Sequence, residues 1–336
     1  MMIRQYQMVL FLVLLFGCSH TQPANALCAI LTASATPLTA NTGTFAPGST
    51  PSAQPVVINV KGTFIAALGD LAGGCAAAIS FNRSSLPASM LISGGGSATL
   101  PYQLRDSSSG GKSLLYTGSG IPSSANALTF TFPAALLSID NFSVNVTVWA
   151  QAQPNVTQQA GSYLDNITID VFTSTLAGIL QGRVSAQGFT VTGTVLKSCT
   201  IGGVHTPAAD TAVIPITASG NVNTAPINRS YSNVFCNSPA NVQLTSDNGA
   251  VTTGGSGGGL QRLINYSASA SFSGAAASLN TATSPGATGA ESGPVSPTSG
   301  TSPTGSLGVT ITPQINAQPL AAGNYSDTLR ITITPQ

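Results

Sequence analysis

The sequence predicts an all-β protein built as two tandem β-sandwiches, and three observations support that fold class. Several segments alternate apolar and polar residues with a period of two, which is typical of half-buried strands. No window of about a dozen residues has the 3.6-residue period of an amphipathic helix. A twelve-residue pattern near the middle of the chain also returns near its end, which indicates an internal duplication.

The composition is apolar enough for a packed core and contains few charged residues. Only 6% of the 336 residues are charged and 42% are hydrophobic, whereas soluble domains average roughly 25% charged residues. Low charge combined with low hydrophobicity would indicate disorder, but here the apolar share is high enough to bury a core. Ten basic residues against nine acidic ones provide no field that attracts a polyanion, so we expect no nucleic-acid partner.

The N-terminus has the pattern of a signal peptide over residues 1–26. An apolar run at 8–17 is too short to span about 30 Å of hydrocarbon. The small residues of Ala24-Asn25-Ala26 are typical of a signal-peptidase site, so we expect cleavage before Leu27 and export. A lipoprotein-like segment that ends at Cys18 leaves lipidation there as an alternative.

Export makes the four remaining cysteines candidates for disulfide bonds. They are Cys28, Cys75, Cys199 and Cys236. Their grouping into an early and a late pair favours one bridge in each domain, Cys28–Cys75 and Cys199–Cys236, in an oxidising compartment. Sequence alone leaves all three connectivities open. Four thiolates could also bind zinc, but the chain has no C-x-x-C spacing, and we expect neither a metal nor a cofactor.

The repeat divides the chain into two domains, predicted over 27–186 and 187–336. Its clearest trace is the segment Ala160–Val171, which recurs as Ala322–Ile333 at an offset of 162 residues. Each copy begins with Ala-Gly-x-Tyr-x-Asp and continues with three aliphatic residues at every second position, as expected of a closing strand. We expect the Tyr and Asp of this motif to serve packing and hydrogen bonding. Trp149, the only tryptophan, is expected in the core.

Two further segments are a predicted loop inside the second domain and the stretch that connects the two domains. Residues 281–306 are rich in Gly, Pro, Ser and Thr and are predicted to form a mobile loop of the second domain without chemistry of its own. Residues 173–187 either supply the last strand of the first domain or form a plain linker, and the sequence leaves both open. The side chains that would dock back onto that domain are Leu176, Ile179, Leu180 and Val184.

Taken together, these landmarks resemble the spore-coat-protein-U-like domain of Csu-type (archaic) chaperone–usher pili. The resemblance covers nearly the whole mature chain. The matching residues of the first copy are Cys28, Cys75, Tyr102–Asp106 and 160–171. Those of the second copy are Cys199, Cys236–Val242, Ile264–Tyr266 and 322–333.

The resemblance implies a non-enzymatic role in pilus assembly. Pilins of this family are incomplete immunoglobulin-like sandwiches, and a periplasmic chaperone and then the neighbouring subunit supply the missing strand at an open sheet edge. It implies that the second domain is the acceptor, with Leu329, Ile331 and Ile333 in its groove, and that an outer-membrane usher is a further partner. Since Cys28 would be the second residue of the mature chain, it also implies a tip subunit without a donor strand, exposed outside the cell.

A tip subunit of this kind would bind surfaces through its first domain and support biofilm formation. Three apolar stretches flanked by turn residues, 64–71, 86–92 and 132–139, are candidate loops for an abiotic or host surface, because exposed apolar patches are rare without a binding role. The alternative is that they are ordinary core strands. The candidate adhesive residues are Phe64, Ile65, Leu68, Leu71, Met90, Leu91, Ile92, Phe132, Leu136 and Leu137.

Two other functions remain as alternatives. A secreted coat or sugar-binding module would have two complete sandwiches and would fold without a chaperone. A secreted hydrolase would have to use His205, because His20, the other histidine, is expected to leave with the signal peptide. His205 lies in a Gly- and Pro-flanked stretch that is typical of a solvated loop. No paired carboxylates or phosphate-binding loop accompany it.

Overall fold

The computed structural model describes residues 28–66, 74–133, 139–202, 209–254, 259–283, 290–291 and 300–336. Within them the protein has 21 strands and two single-turn 3₁₀ helices, at Ser124–Asn126 and Thr281–Thr283, which confirms the all-β prediction. The buried apolar side chains form two separate clusters, one over residues 28–195 and one over 234–309. Two cores along one chain correspond to two sandwiches.

The first sandwich is built from eleven strands. In chain order they are β1 (Cys28–Thr36), β2 (Thr39–Phe45), β3 (Gln54–Ala66), β4 (Cys75–Arg83), β5 (Ser89–Ile92), β6 (Thr99–Arg105), β7 (Leu115–Thr117), β8 (Leu128–Phe132), β9 (Ile139–Ala152), β10 (Gly161–Ser174) and β11 (Leu180–Val195). The strand order is β1-β3-β9-β6-β5-β10-β11-β2, and β4 pairs β10, β7 and β8.

The core of the first sandwich lies between its two layers and is rich in phenylalanine. The rings of Phe64 and Phe132 lie 4.9 Å apart, and those of Phe132 and Phe142 lie 4.4 Å apart. Phe142 points inward because β9 alternates, with Val146 and Val148 on the same buried face. Aromatic pairs of this kind stabilise a core beyond their area burial.

The second sandwich is built from ten shorter strands. They are β12 (Cys199–Thr200), β13 (Ile227–Cys236), β14 (Ala240–Ser246), β15 (Val251–Thr252), β16 (Leu263–Ile264), β17 (Tyr266–Phe272), β18 (Ala275–Asn280), β19 (Ala290–Glu291), β20 (Thr304–Pro313) and β21 (Leu329–Pro335). One sheet has the order β12-β13-β20-β17-β18, a second has β19-β14-β21, and β15 pairs β16.

Both predicted disulfide bonds are present. Cys28 bonds Cys75 across 47 residues, and Cys199 bonds Cys236 across 37 residues. The first bridge joins the start of β1 to the start of β4, and the second joins the start of β12 to the end of β13. Closing loops of this length stabilises a domain by roughly 3–4 kcal/mol in the chain-entropy treatment. Two such bonds fit a protein that folds outside the reducing cytoplasm.

Three predictions differ from the structure at the level of single elements. Trp149 is not in the core, because Val148 and Ala150 take the inward positions of β9 and leave the indole partly exposed on the outer face. The domain boundary predicted between 186 and 187 falls inside β11, which continues to Val195. The loop predicted over 281–306 has a 3₁₀ helix at its start and the first residues of β20 at its end.

Several predictions concern residues outside the described ranges. The signal peptide, Cys18, His205 and most of the predicted loop over 281–306 are among them. Across the described ranges, no helix has the length and apolarity that a membrane crossing requires. The same ranges contain no group of three or more His, Cys, Asp or Glu residues placed to hold a metal ion.

Candidate functional site: an open sheet edge in the second sandwich

The closing strand of the first sandwich, β10, has a partner on both edges. On one edge it pairs β4, from Thr168↔Asn82 to Ser174↔Ala76. On the other it pairs β11 in an antiparallel ladder from Gly161↔Val195 to Ser174↔Leu180. The far edge of β11 pairs β2 in parallel. The chain therefore inserts its own strand between β10 and β2, and that strand completes the sandwich.

Side chains of β11 alternate into the core of the first sandwich. Phe189 is 2% exposed and Val191 is fully buried, and the Phe189 ring lies 4.9 Å from that of Phe81. Gly193 also faces inward, and a Cβ at this position would collide with Thr42 Oγ1, so glycine suits the close approach. Of the apolar side chains predicted to dock back, Leu176 and Ile179 are 48% and 61% exposed instead, because they belong to the turn before β11.

Among the described residues, the corresponding strand of the second sandwich, β21, has a partner on one edge only. It pairs β14 from Leu329↔Ser246 to Pro335↔Ala240 and is the last strand of its sheet in the part of the chain that the structure describes. Residues 209–216 follow β12 as β2 follows β1, yet they form no strand. Val213 in this segment is 72% exposed. The position that β11 fills in the first sandwich thus has no counterpart among the described residues.

Apolar side chains at equivalent positions of β10 and β21 differ in how much of their surface is exposed. Ile167, Ile169 and Val171 of β10 are 6%, 0% and 0% exposed. Their equivalents, Leu329, Ile331 and Ile333 of β21, contact the second core but remain partly exposed. The structure brings these three predicted groove residues together on the inner face of an edge strand. A row of unpaired backbone groups beside a partly exposed apolar stripe can accept another strand.

A tyrosine–aspartate pair braces both closing strands. Tyr102 Oη donates to Asp165 Oδ2 at 2.8 Å, and Tyr266 Oη donates to Asp327 Oδ2 at 2.5 Å. Burial, reinforced by the neighbouring carboxylate, raises the pKa of both phenols well above their usual range, so both stay protonated as donors. Since these groups only hold strands in place, the expectation of a packing and hydrogen-bonding role agrees with the geometry.

A second tyrosine contact recurs at the turn before each closing strand. Tyr163 Oη donates to the carbonyl oxygen of Gln159 at 2.7 Å, and Tyr325 Oη donates to that of Ala321 at 2.9 Å. Each bond joins a tyrosine to the residue four positions earlier and fixes the entry of the strand. The two copies thus have the same internal scaffold and differ in the strand that follows.

One residue that the sequence analysis did not single out, Asn237, joins the two sandwiches. It is fully buried just before β14, and its Nδ2 donates to the carbonyl oxygens of Gln158 at 3.1 Å and Leu196 at 2.8 Å. Its Oδ1 accepts from Ser198 N at 2.7 Å. Its backbone oxygen accepts from Ala160 N at 2.8 Å. Neither composition nor periodicity marks such a residue, since the contact depends on how the domains meet.

The predicted adhesive residues fall into four groups. Phe64, Met90 and Phe132 are 1%, 0% and 4% exposed and belong to the first core, because strand alternation turns them inward; they offer no exposed loop surface. Ile65 and Leu91 are 37% and 55% exposed. Ile92 is partly buried against the core. The remaining four, Leu68, Leu71, Leu136 and Leu137, lie outside the described residues.

Exposed aliphatic side chains gather at one end of the first sandwich. Ile65 and Ile139 are neighbours in the β3–β9 ladder and are 37% and 66% exposed, and Leu31 on β1 is 47% exposed. The turn that carries Leu176 and Ile179 lies at the same end, where β10 passes into β11. Val195 and the second sandwich lie at the opposite end of β11. Because β10 has 14 residues, the two ends are about 45 Å apart.

The sequence matches no protein-family profile and no curated protein. Three solved structures have a partly similar arrangement. One is a chain of the CsuC–CsuE chaperone–tip adhesion subunit pre-assembly complex from archaic chaperone–usher Csu pili of Acinetobacter baumannii, with 14% identity, a TM-score of 0.40, and coverage of 92% of this chain and 100% of that chain.

The other two have lower identity. The CupB6 tip adhesin from Pseudomonas aeruginosa is 10% identical, with a TM-score of 0.32 and coverage of 92% and 96% of the two chains. CfaE, the adhesive subunit of CFA/I fimbria of enterotoxigenic Escherichia coli, is 10% identical, with a TM-score of 0.30 and coverage of 89% and 93%. Similarities at this level are too weak to assign a function to this chain.

Proposed function

We propose that this protein is a non-enzymatic, adhesive tip subunit of a chaperone–usher pilus, and that its second sandwich accepts a strand from the neighbouring pilin subunit. One observation carries this function. The closing strand of the first sandwich pairs with β11, whereas its counterpart β21 has no partner on one edge among the residues that the structure describes. A tip position agrees with the two-domain organisation that the resemblance to Csu-type pilins implies.

The first sandwich supplies a template for the incoming strand. By analogy with β11, a donor strand would run antiparallel to β21 and parallel to residues 209–216, and would place alternate apolar side chains over Leu329, Ile331 and Ile333. Fully burying an aliphatic side chain contributes about 1.5–3 kcal/mol. Because these three are already partly buried, each would add about half of that. The backbone of β21 would gain a ladder of hydrogen bonds at the same time.

Before assembly, the same edge would need protection. An unpaired strand with an apolar stripe is a site of aggregation in an uncovered subunit. A periplasmic chaperone that lends a strand would cover the edge, and the outer-membrane usher would exchange that strand for the donor of the next subunit. Chaperone, usher and adjacent pilin are therefore the proposed partners.

The opposite end of the molecule is the proposed adhesive end. Leu31, Ile65 and Ile139 are exposed there, far from the groove. In sequence, the candidate adhesive stretches 64–71 and 132–139 include the end of β3 and the first residue of β9, respectively. Contact with a hydrophobic abiotic or host surface would remove this apolar area from water, at about 25 cal/mol per Å², and would support attachment and biofilm formation.

A self-complemented fusion tests the open edge directly. A copy of residues 184–195 is appended after Gln336 through a short glycine linker, and the full chain is produced in a periplasm without a pilus chaperone. We expect higher soluble yield and a higher unfolding temperature of the second sandwich. The matched control carries Asp in place of Phe189 and Val191 in the appended copy only, and should give no gain. If the unmodified second sandwich is already stable and the fusion changes nothing, a secreted coat or binding module with two complete domains replaces this function.

A further inference from the structure

The outer face of the first sandwich presents the only tryptophan of the chain. Strands β3, β9 and β6 lie side by side, and Pro55, Trp149 and Arg105 occupy one row across them. Residues in register on neighbouring strands point to the same face, with Cβ atoms about 4.5–5.5 Å apart. Trp149 is partly exposed in this row, while Val148 and Ala150 beside it point into the core. The indole is therefore held on a rigid strand with part of its surface in water.

The face around Trp149 also presents amide and hydroxyl side chains that can form hydrogen bonds with a ligand. Asn59 and Asn145 are paired in register, and Asn59 Nδ2 donates to Asn145 Oδ1 at 2.8 Å and to Ser143 Oγ at 3.0 Å. The exposed Val57 and Thr147 form the row between these amides and Trp149. An aromatic platform with amides and hydroxyls beside it can stack a sugar ring and satisfy its hydroxyl groups.

The charge on this face is positive and unpaired. Arg105 and, about 20 Å further along β3, Lys61 make no hydrogen bond or ion pair through their side chains with any residue that the structure describes. By contrast, Arg83 and Arg183 elsewhere in the same sandwich pair with aspartates at 2.6 Å and 3.7 Å. No Asp or Glu occupies an outward position of β3, β6 or β9. Two free cations without a carboxylate are complementary to an anionic ligand.

We propose that this face binds an acidic saccharide, with a sugar ring stacked on Trp149 and the carboxylate of that or the next sugar paired with Arg105. Lys61 extends the positive track along the same face for a longer polymer of uronic acids. Arg suits this role because its planar guanidinium binds a carboxylate through two hydrogen bonds. The site lies along the side of the first sandwich, apart from its apolar end, and does not depend on strand acceptance by the second sandwich.

The fluorescence of Trp149 gives a direct test, because no other tryptophan contributes to the emission. The purified full chain is titrated with polygalacturonate, and with dextran of matched length as the neutral polymer. We expect a saturable change of emission with polygalacturonate, weakened in about 0.5 M salt because exposed charges are screened, and little change with dextran. An equal response to dextran would overturn the acidic assignment, and no response to either polymer would overturn the site.

Three variants distinguish a defined binding site from nonspecific electrostatic attraction. Arg105→Gln should weaken binding about tenfold, the equivalent of one charge-assisted contact. Lys197→Gln removes the same charge from an exposed position in the linker and should leave binding unchanged; equal losses would mean that net charge alone attracts the polymer. Trp149→Ala, followed by co-sedimentation with polygalacturonate, should lose tenfold or more, and native-like binding would exclude stacking. Unchanged thermal unfolding of each variant controls for folding.

Discussion

Both sandwiches contain the same closing motif, but their closing strands have different partners among the described residues. In both, a tyrosine–aspartate pair and a tyrosine bonded to the carbonyl four residues earlier hold the last strand. In the first, the chain turns after Ser174 and returns as β11. In the second, no described strand follows on the free edge of β21. In the part of the chain that the structure describes, the two domains therefore differ in whether a strand pairs with the outer edge of the closing strand.

The core of the second sandwich is also smaller than that of the first. Among the described residues, the first cluster has 33 buried residues, and seven of them are phenylalanines, including Phe189 of β11. The second has 14, of which Phe272 is the only phenylalanine and five are alanines. A small core buries less apolar surface against the entropy of the ordered chain. The second sandwich thus has more to gain from an added strand.

Separating the two sandwiches should have the largest effect, because we expect only the first to fold without a partner strand. We expect residues 27–196 to fold alone and unfold cooperatively, and residues 197–336 to aggregate or be degraded without a partner strand. Soluble recovery from a periplasm and thermal unfolding measure both. The matched control ends the first fragment at residue 186 and removes Phe189, Val191 and Val195. This shorter fragment should fail to fold; if it is as stable as the longer one, β11 does not complete the sandwich.

Removing one side chain of the completing strand should have the next largest effect. Phe189→Ala is expected to lower the free energy of unfolding of the first sandwich by about 3–5 kcal/mol, because a buried aromatic side chain leaves a cavity. Ile179→Ala, at an exposed position in the turn before the same strand, should change it by less than about 0.5 kcal/mol. Denaturant unfolding of residues 27–196 measures both changes. Similar losses in the two variants would contradict the assignment of β11.

The smallest effect concerns the polar brace of the closing strand. Asp165→Asn removes the carboxylate that binds Tyr102 and the Arg83 guanidinium, whose Nε lies 2.6 Å from Asp165 Oδ2. We expect a loss of about 2–4 kcal/mol, since both side chains of the ion pair are mostly buried. Asp247→Asn breaks the exposed pair with Arg330 in the second sandwich and should have little effect. Chemical denaturation of the full chain, with each transition analysed separately, compares them.

Local patterns in the sequence indicated the repeats and favoured the observed disulfide bonds, but they did not identify which strands pair with one another. The alternation in the two closing strands and the spacing of the cysteines depend on near neighbours or on pairing within one domain. Residues 189–195 also alternate in sequence, yet alternation does not specify which sheet a strand joins. The predicted boundary between 186 and 187 placed them in the second domain, whereas their register with β10 places them in the first.

Strand parity also accounts for the misplaced side chains. Phe142, Val146 and Val148 share one face of β9, so an odd-numbered Trp149 has to face outward. The same alternation buries Phe64 while exposing Ile65. Hydrophobicity favoured a core position for Trp149 and did not distinguish Phe64 from Ile65, since both belonged to one candidate adhesive stretch. The exposed apolar end of the first sandwich depends on where several strands stop together, which no single stretch of sequence encodes.

The joint at Asn237 also determines how the molecule would carry tension. Force pulling the sandwiches apart enters the first one through Leu196, at the end of β11, and acts along the axis of that strand. The ladders that hold β11 to β10 and β2 are then loaded in shear, so that their hydrogen bonds resist together instead of opening one after another. The contacts of Asn237 with Gln158 and Ala160 share this load with the turn before β10. The strand that completes the fold is thereby also its mechanical anchor.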